Sequence, residues 1–197
     1  GANPFGEDNP FKQYHYEDLN YPTALTGITD ELGNRSFTWD YDSEGHAILS
    51  KHDSVGVVDQ VTLDFSFVDD PVQPRVIETN SLGYRSTFHY AEIDGERKVT
   101  LVERDAHTNS ADASISCAAA NQHTTYDANG YKNLVTDWQG NVTDFDYDDR
   151  GLEISRVEAQ RWQGDVIDSV VVVTAETKTV TTEWHPDLRL PTKITEP

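Results

Sequence analysis

Along much of this chain apolar and polar residues alternate one for one. Phe37-Thr38-Trp39-Asp40-Tyr41 and Asp144-Phe145-Asp146-Tyr147-Asp148 are the plainest cases, and Phe88 and Tyr90 repeat the spacing. Side chains alternate faces along a strand, so each run predicts a β-strand with aromatics on one side and Asp or Thr on the other. The aromatics are expected to face a packed layer, and the Asp and Thr to face water. Val61–Phe67, Lys98–Val102 and Val166–Thr174 predict further strands from their β-branched and aromatic content. Val170–Thr174 and Thr179–Trp184, joined by a polar turn, predict a hairpin. Helix signals are thin. Only Ser110–Gln122 could form a turn or two, capped by Ser110 or Asp112, and it reads equally as a loop.

Between these runs one phrase recurs: Tyr-Asp, two residues, Gly. It stands at Tyr41–Gly45, Tyr126–Gly130 and Tyr147–Gly151, with Asp42, Asp127 and Asp148 in second place. A related phrase, Asp or Asn, two residues, Gly, ends at Gly33, Gly83 and Gly140, and each time leads into an aromatic strand ending in Tyr. The copy at 79–90 is degenerate, because Tyr90 is followed by a longer Ala-Glu-Ile-Asp-Gly. The Asp can hydrogen-bond its own backbone and the Gly can take a positive φ, so both phrases predict tight reversals. Internal repetition of this kind is the mark of a repeat architecture. The expected fold is all-β: tandem antiparallel hairpins forming a curved sheet, with little or no helix. Residues 1–10, rich in Pro and Gly, read as a tether behind a cloning remnant. Residues 11–197 read as the repeat array, with loop-like insertions at about 68–75 and 105–122.

Composition narrows the function. The 197 residues carry 35 Asp+Glu against 15 Lys+Arg, a net charge of −20. Phosphate backbones and anionic membrane surfaces call for clustered Lys and Arg, so nucleic-acid binding is not expected. No apolar run approaches the roughly 18 residues of a membrane span, and no membrane insertion by this segment is expected. The chain has no Met and opens Gly-Ala, as expected of an excised piece of a larger polypeptide. A single cysteine, Cys117, allows no internal disulfide and reads as a plain small residue.

Chemistry is hard to find. Asp144, Asp146 and Asp148 resemble the opening of a calcium loop, but the sixth position is Asp149 where Gly belongs and the twelfth is Ser155 where Glu belongs. A solvated strand face is the expectation for these three carboxylates. The seven histidines are scattered, without metal-ligand spacing on a helix. No nucleophile elbow and no phosphate-cradling Gly loop occurs. No catalytic residue, cofactor or metal site is therefore assigned. Asn34 and Asn141 begin glycosylation triplets, yet each follows a turn Gly and reads as turn chemistry.

The phrases at Leu25–His52, Thr136–Gly151 and Thr182–Pro197 resemble the Rhs/YD-repeat family, the bacterial Rhs proteins most of all. The resemblance runs from about Tyr14 to the end and is weakest over residues 105–122. It implies a large secreted or surface polypeptide whose β-hairpin repeats wind into a spiral and close as a hollow shell. In bacterial members that shell encloses a C-terminal toxin used in competition; related shells occur in insecticidal toxin complexes and in teneurins. Nothing in this chain matches the family's autoproteolytic aspartates or its Pro-rich junction. The resemblance thus implies a segment of wall whose partners are the remaining repeats and the toxin domain of the parent chain. Self-association through exposed strand edges is expected of the segment alone. An adhesin-like module binding carbohydrate or protein stands as the alternative.

Overall fold

The fold is that of a computed structural model, which describes residues 10–54, 57–108, 116–161 and 177–197. The first two strands, β1 (Gln13–His15) and β2 (Gly27–Thr29), are short. The longer β3 (Arg35–Tyr41), β4 (Ala47–Ser54), β5 (Val57–Asp64) and β6 (Arg75–Asn80) follow, then β7 (Arg85–Ile93) and β8 (Glu96–Arg104). After a small separate hairpin, β9 (His107–Thr108) with β10 (Ser116–Cys117), the main series resumes. It continues through β11 (Ala120–Tyr126), β12 (Lys132–Thr136), β13 (Asn141–Tyr147) and β14 (Glu153–Arg161) to β15 (Lys178–Trp184) and β16 (Pro191–Thr195). Fourteen of these strands form one open antiparallel sheet in which spatial order is chain order, and no helix occurs among the described residues. The all-β hairpin array read from the sequence is the fold.

Because every strand pairs with its neighbour in the chain, the connections alternate between the two ends of the strands. Turns 42–45, 94–95, 127–130, 148–151 and 185–190 therefore line one rim of the sheet, and turns 30–33, 80–83 and 137–140 line the other. The two sequence phrases sort by rim. Tyr-Asp-x-x-Gly lies on the first, and the phrase ending at Gly33, Gly83 and Gly140 lies on the second.

One local device builds six of these turns. The Gly amide donates to the Asx carbonyl at 2.9–3.2 Å, and the Asx amide donates to the carbonyl of the residue after Gly. Meanwhile Asx Oδ1 accepts two backbone amides at 2.8–3.0 Å, as Asp30 does from Leu32 and Asn34, and Asn80 does from Leu82 and Tyr84. The turn needs one left-handed residue, and Gly supplies it, with φ of 71–85° at all six. In the three Tyr-Asp hairpins the register then slips by one residue just inside the turn, for example from Tyr41↔Ala47 to Asp40↔Leu49. This bulge sharpens the twist of each repeat. The degenerate copy differs as its length demands: β7 and β8 are joined by Asp94 and Gly95, both at positive φ, a two-residue hairpin turn.

Several expectations are corrected. Among the described residues no second layer packs on the sheet: only Val76, Val142, Leu152 and Val180 are buried apolar side chains, and Phe37 is 36 % exposed. Asp144 is not a solvated strand carboxylate but half-buried, and that burial, with Asp146 beside it, pushes its pKa up. Asp148 has left the strand to hold a turn. Phe65, Ser66 and Phe67 lie beyond β5 in a turn, since Asp64 accepts the Ser66 amide and ends the strand. Ala120–Gln122 belong to β11, pairing with β8 from Ala120↔Arg104, so the described part of Ser110–Gln122 is extended. The strand expected at Val166–Thr174, its hairpin, Trp162 and most of the tether lie outside the described residues.

The turn carboxylates carry a pH signature. The Asn34 amide holds the Asp30 carboxyl below its ordinary value, and the Leu152 amide does the same for Asp148. A folded-state pKa depressed below the unfolded one contributes stability above the unfolded value, near 3.8 here, which is lost as pH falls through the folded value. Asn80 shows that an amide can hold the same turn without ionising. The double variant Asp30→Asn/Asp148→Asn keeps the turn but lacks that ionised contribution, so in urea unfolding it is expected to be less stable than wild type at neutral pH, with the gap closing as pH falls. Between about pH 4 and pH 2 it should lose less stability than wild type; parallel losses would refute the assignment.

Candidate functional site on the turn rim

The turns of the first rim reach sideways to one another. The Tyr41 hydroxyl donates to the Leu25 carbonyl at 2.9 Å, and the Tyr126 hydroxyl to the Val99 carbonyl at 2.9 Å. Both acceptors lie where the ladder to the preceding strand has run out, beyond Gly27↔Thr38 and Leu101↔His123. Those carbonyls have lost their strand partners, and the phenol supplies one. Trp184 does the same with a different ring, its indole Nε1 donating to the Glu153 carbonyl at 2.8 Å beyond Ser155↔Thr181. The last residue of β3, β11 and β15 is thus a latch onto the previous hairpin. Tyr147, the corresponding end of β13, is instead set against Tyr131 with ring centroids 5.1 Å apart.

The turn glycines of this rim receive a second contact. A Cβ on Gly45 would meet the Tyr21 ring at 3.0 Å, one on Gly130 the Lys98 side chain at 3.1 Å, and one on Gly151 the Tyr131 hydroxyl at 2.2 Å. Each covering side chain comes from the hairpin before. Tyr21 also donates its hydroxyl to the Ser43 carbonyl at 2.7 Å, inside the turn it covers. On the opposite rim, Gly33 and Gly140 have nothing within 4 Å of such a Cβ. Glycine is needed there for φ alone; on the Tyr-Asp rim it is needed for φ and for close approach. Arg150 carries the linkage onward, donating to Asp148 and to the carbonyls of His185 and Pro186, while Arg189 donates back to the Arg150 carbonyl.

The rim also holds an open cleft of about 780 Å³ at the second and third hairpins, whose lining includes Asp42, Glu44, Asp64, Asp69 and Asp70 with Leu63 and Phe65. Most of its carboxylates are committed. Asp42 accepts the His46 ring at 2.9 Å, Asp70 accepts the amides of Val72 and Gln73, and Asp69 pairs with Arg97. Among the described residues no three His, Cys, Asp or Glu side chains are grouped to hold a metal ion. Three histidines serve locally: His46 stacks on Phe65, His89 meets Glu103 at 2.7 Å, and His185 Nδ1 accepts the amides of Asp187 and Leu188. Cys117 is exposed and unpaired in any disulfide.

The structure therefore places the motif residues in one working row. Tyr41, Asp42, Gly45, Tyr126, Asp127, Gly130, Tyr147, Asp148 and Gly151 share the first rim, and Gly33, Gly83 and Gly140 the second. Sequence reading missed Tyr21, Lys98, Tyr131 and Trp184, which couple one hairpin to the next. Only Trp184, ending a strand before a reversal as the motif tyrosines do, carried a signal that could have found it. No protein-family model matches the chain, and no curated protein matches it either.

Two outcomes follow for stability. Gly151→Ala should destabilise more than Gly140→Ala, which bears only the left-handed strain of about 1–2 kcal/mol; in a Tyr131→Ala background that excess should vanish, as calorimetry of the four variants would show. Tyr126→Phe should lower stability by about 0.5–1.5 kcal/mol, the worth of one hydrogen bond, and amide exchange should quicken around β8 and β11 first.

Proposed function

We propose that this chain is a stretch of structural wall: a hairpin-repeat segment of an Rhs-type shell that surrounds or presents a C-terminal toxin of its parent polypeptide, secreted or displayed at a bacterial surface. The observation that carries the reading is the coupling along the rim, where the turn glycine of each Tyr-Asp hairpin is covered by the hairpin before it and Tyr41, Tyr126 and Trp184 latch onto the preceding hairpin. Strand pairing, latches and lids all join neighbours in sequence, so the array is quasi-one-dimensional and extends at either end by the same rules. Such a layer suits enclosure. It presents two broad faces and commits its polar groups to cohesion. The parent's role and the toxin rest on the Rhs/YD resemblance of the repeat phrases.

The sugar-binding alternative gains little from the aromatic residues. Phe37 and Trp39 stack at 5.7 Å with rings 6° apart, and Phe37 and His52 stack at 4.6 Å. Phe37 thus runs parallel to both Trp39 and His52, whereas a sugar platform needs a flat ring turned to solvent. Trp138 is likewise occupied, with the Arg104 guanidinium 3.9 Å above it.

Hydrogen exchange on the Gly151→Val protein tests the proposal. Protection should fall across β13–β16 and persist across β2–β6, because coupling passes only between neighbours. Uniform loss of protection, together with saturable retention on a glycan array that Trp39→Ala abolishes, would replace the wall with a binding module.

A further inference from the structure

In the Tyr-Asp-x-x-Gly phrase the residue before Gly varies, and one copy alone puts Asn there: Tyr126-Asp127-Ala128-Asn129-Gly130. Asn129 is the one asparagine of the chain that Gly follows. The pair carries a chemistry of its own. A backbone nitrogen can attack the side-chain carboxamide of the residue before it and close a five-membered ring. Gly, with no Cβ, leaves that nitrogen least obstructed.

The fold sets Asn129 apart from the other turn asparagines. Asn34 and Asn141 give their Nδ2 to Asp30 and Asp137, and Asn80 Oδ1 accepts the amides of Leu82 and Tyr84. Asn129 is exposed, and its main-chain amide donates to Asp127 Oδ1 at 2.9 Å. Among the described residues its carboxamide has no hydrogen-bond partner, so Cγ is free to swing and open to water. What restrains the reaction is the nucleophile. The Gly130 amide donates to the Asp127 carbonyl at 3.1 Å, while the Lys98 side chain lies against Gly130 from the preceding hairpin. That nitrogen is released only when the turn opens.

We propose that Asn129 is a self-modification site and that the Tyr-Asp turn is its gate. When the turn opens, the Gly130 nitrogen bonds to Asn129 Cγ, the bond from Cγ to Nδ2 breaks, and ammonia carries off the Gly130 amide proton. Water then adds to either carbonyl of the cyclic imide and opens it to aspartate or isoaspartate. Water enters, ammonia leaves, and nothing is oxidised or reduced. In the isoaspartate form the main chain runs through Cβ and Cγ and is one carbon longer. The turn has no slack for it: the Asp127 amide donates to the Tyr131 carbonyl at 2.8 Å, and Asp127 Oδ1 accepts the amides of Asn129 and Tyr131. Gly130 also sits against the hairpin before, where even a Cβ would meet Lys98 at 3.1 Å and Asp94 at 3.6 Å. The product therefore undoes a contact between hairpins in the middle of the array and adds a negative charge to the turn of Asp127.

Ageing the intact chain in mildly alkaline buffer tests the proposal, with peptide mapping by mass spectrometry and enzymatic methylation of isoaspartate as readouts. Aspartate and isoaspartate should accumulate at Asn129 before any other asparagine converts, with one ammonia released per site. Conversion should be slower than in a free peptide spanning residues 124–133, by the factor that protects the Gly130 amide from exchange, since one opening event governs both. In urea above the unfolding midpoint the two rates should coincide. Asp127→Ala, checked for unchanged circular dichroism, should convert several-fold faster than wild type. The aged protein should exchange faster across β8, β11 and β12, whereas Asn129→Asp, which carries the charge without the extra carbon, should not. Another asparagine converting first, a folded chain as fast as the peptide, or an Asp127→Ala chain no faster than wild type would overturn the proposal. So would aged protein with unchanged exchange, or an Asn129→Asp protein that exchanges like the aged one.

Discussion

A sheet on which no described residue packs a second layer must find its cohesion within itself, and that constraint governs the described structure. With four buried apolar side chains among the described residues, the interior of an ordinary domain is missing. Main-chain pairing, half-buried cross-strand contacts and the turn device carry the fold instead. At three places where the ladder opens at the Tyr-Asp rim a polar ring atom closes it: Tyr41, Tyr126 and Trp184. The rule that a backbone carbonyl keeps a partner is met here by side chains at fixed places in the repeat.

The same constraint explains why charge is tolerable. Six of the turns rest on an Asp or Asn oxygen that accepts backbone amides, so much of the acidity is bound into local geometry. Acidic residues elsewhere face solvent or meet cations, as Glu96 meets Lys98 and Glu183 meets Lys193. The half-buried Asp144 departs from this pattern: its carboxyl is pushed up by burial and by Asp146, and no cation is among the causes of that shift.

What could be read from sequence was what is local in sequence. The Asp42–Gly45 turn is closed by atoms three and four residues apart, so its residues announce it. Alternation at Phe37–Tyr41 announces a strand for the same reason. It does not announce a second layer, because a period of two says only that the faces differ, and Phe37 shows that the more apolar face can stay open. The latch from Tyr41 spans 16 residues to Leu25 and depends on where pairing with β2 ends, which no local pattern encodes. Tyr131 over Gly151 was hidden likewise: glycine reads as conformational freedom, and its second duty as empty space appears only with its neighbour in place.

The division of the turns between two rims has a consequence for how such a chain can change length. Removing or duplicating two strands with their turns, as in the 21 residues from Tyr126 to Tyr147, returns the chain to the same rim, with each motif tyrosine again at the same end of the sheet. Removing a single strand would reverse the parity of all that follows, sending each later latch to the wrong end of the sheet. The unit of inheritance is therefore the pair of strands. Families built this way should differ in size by even numbers of strands.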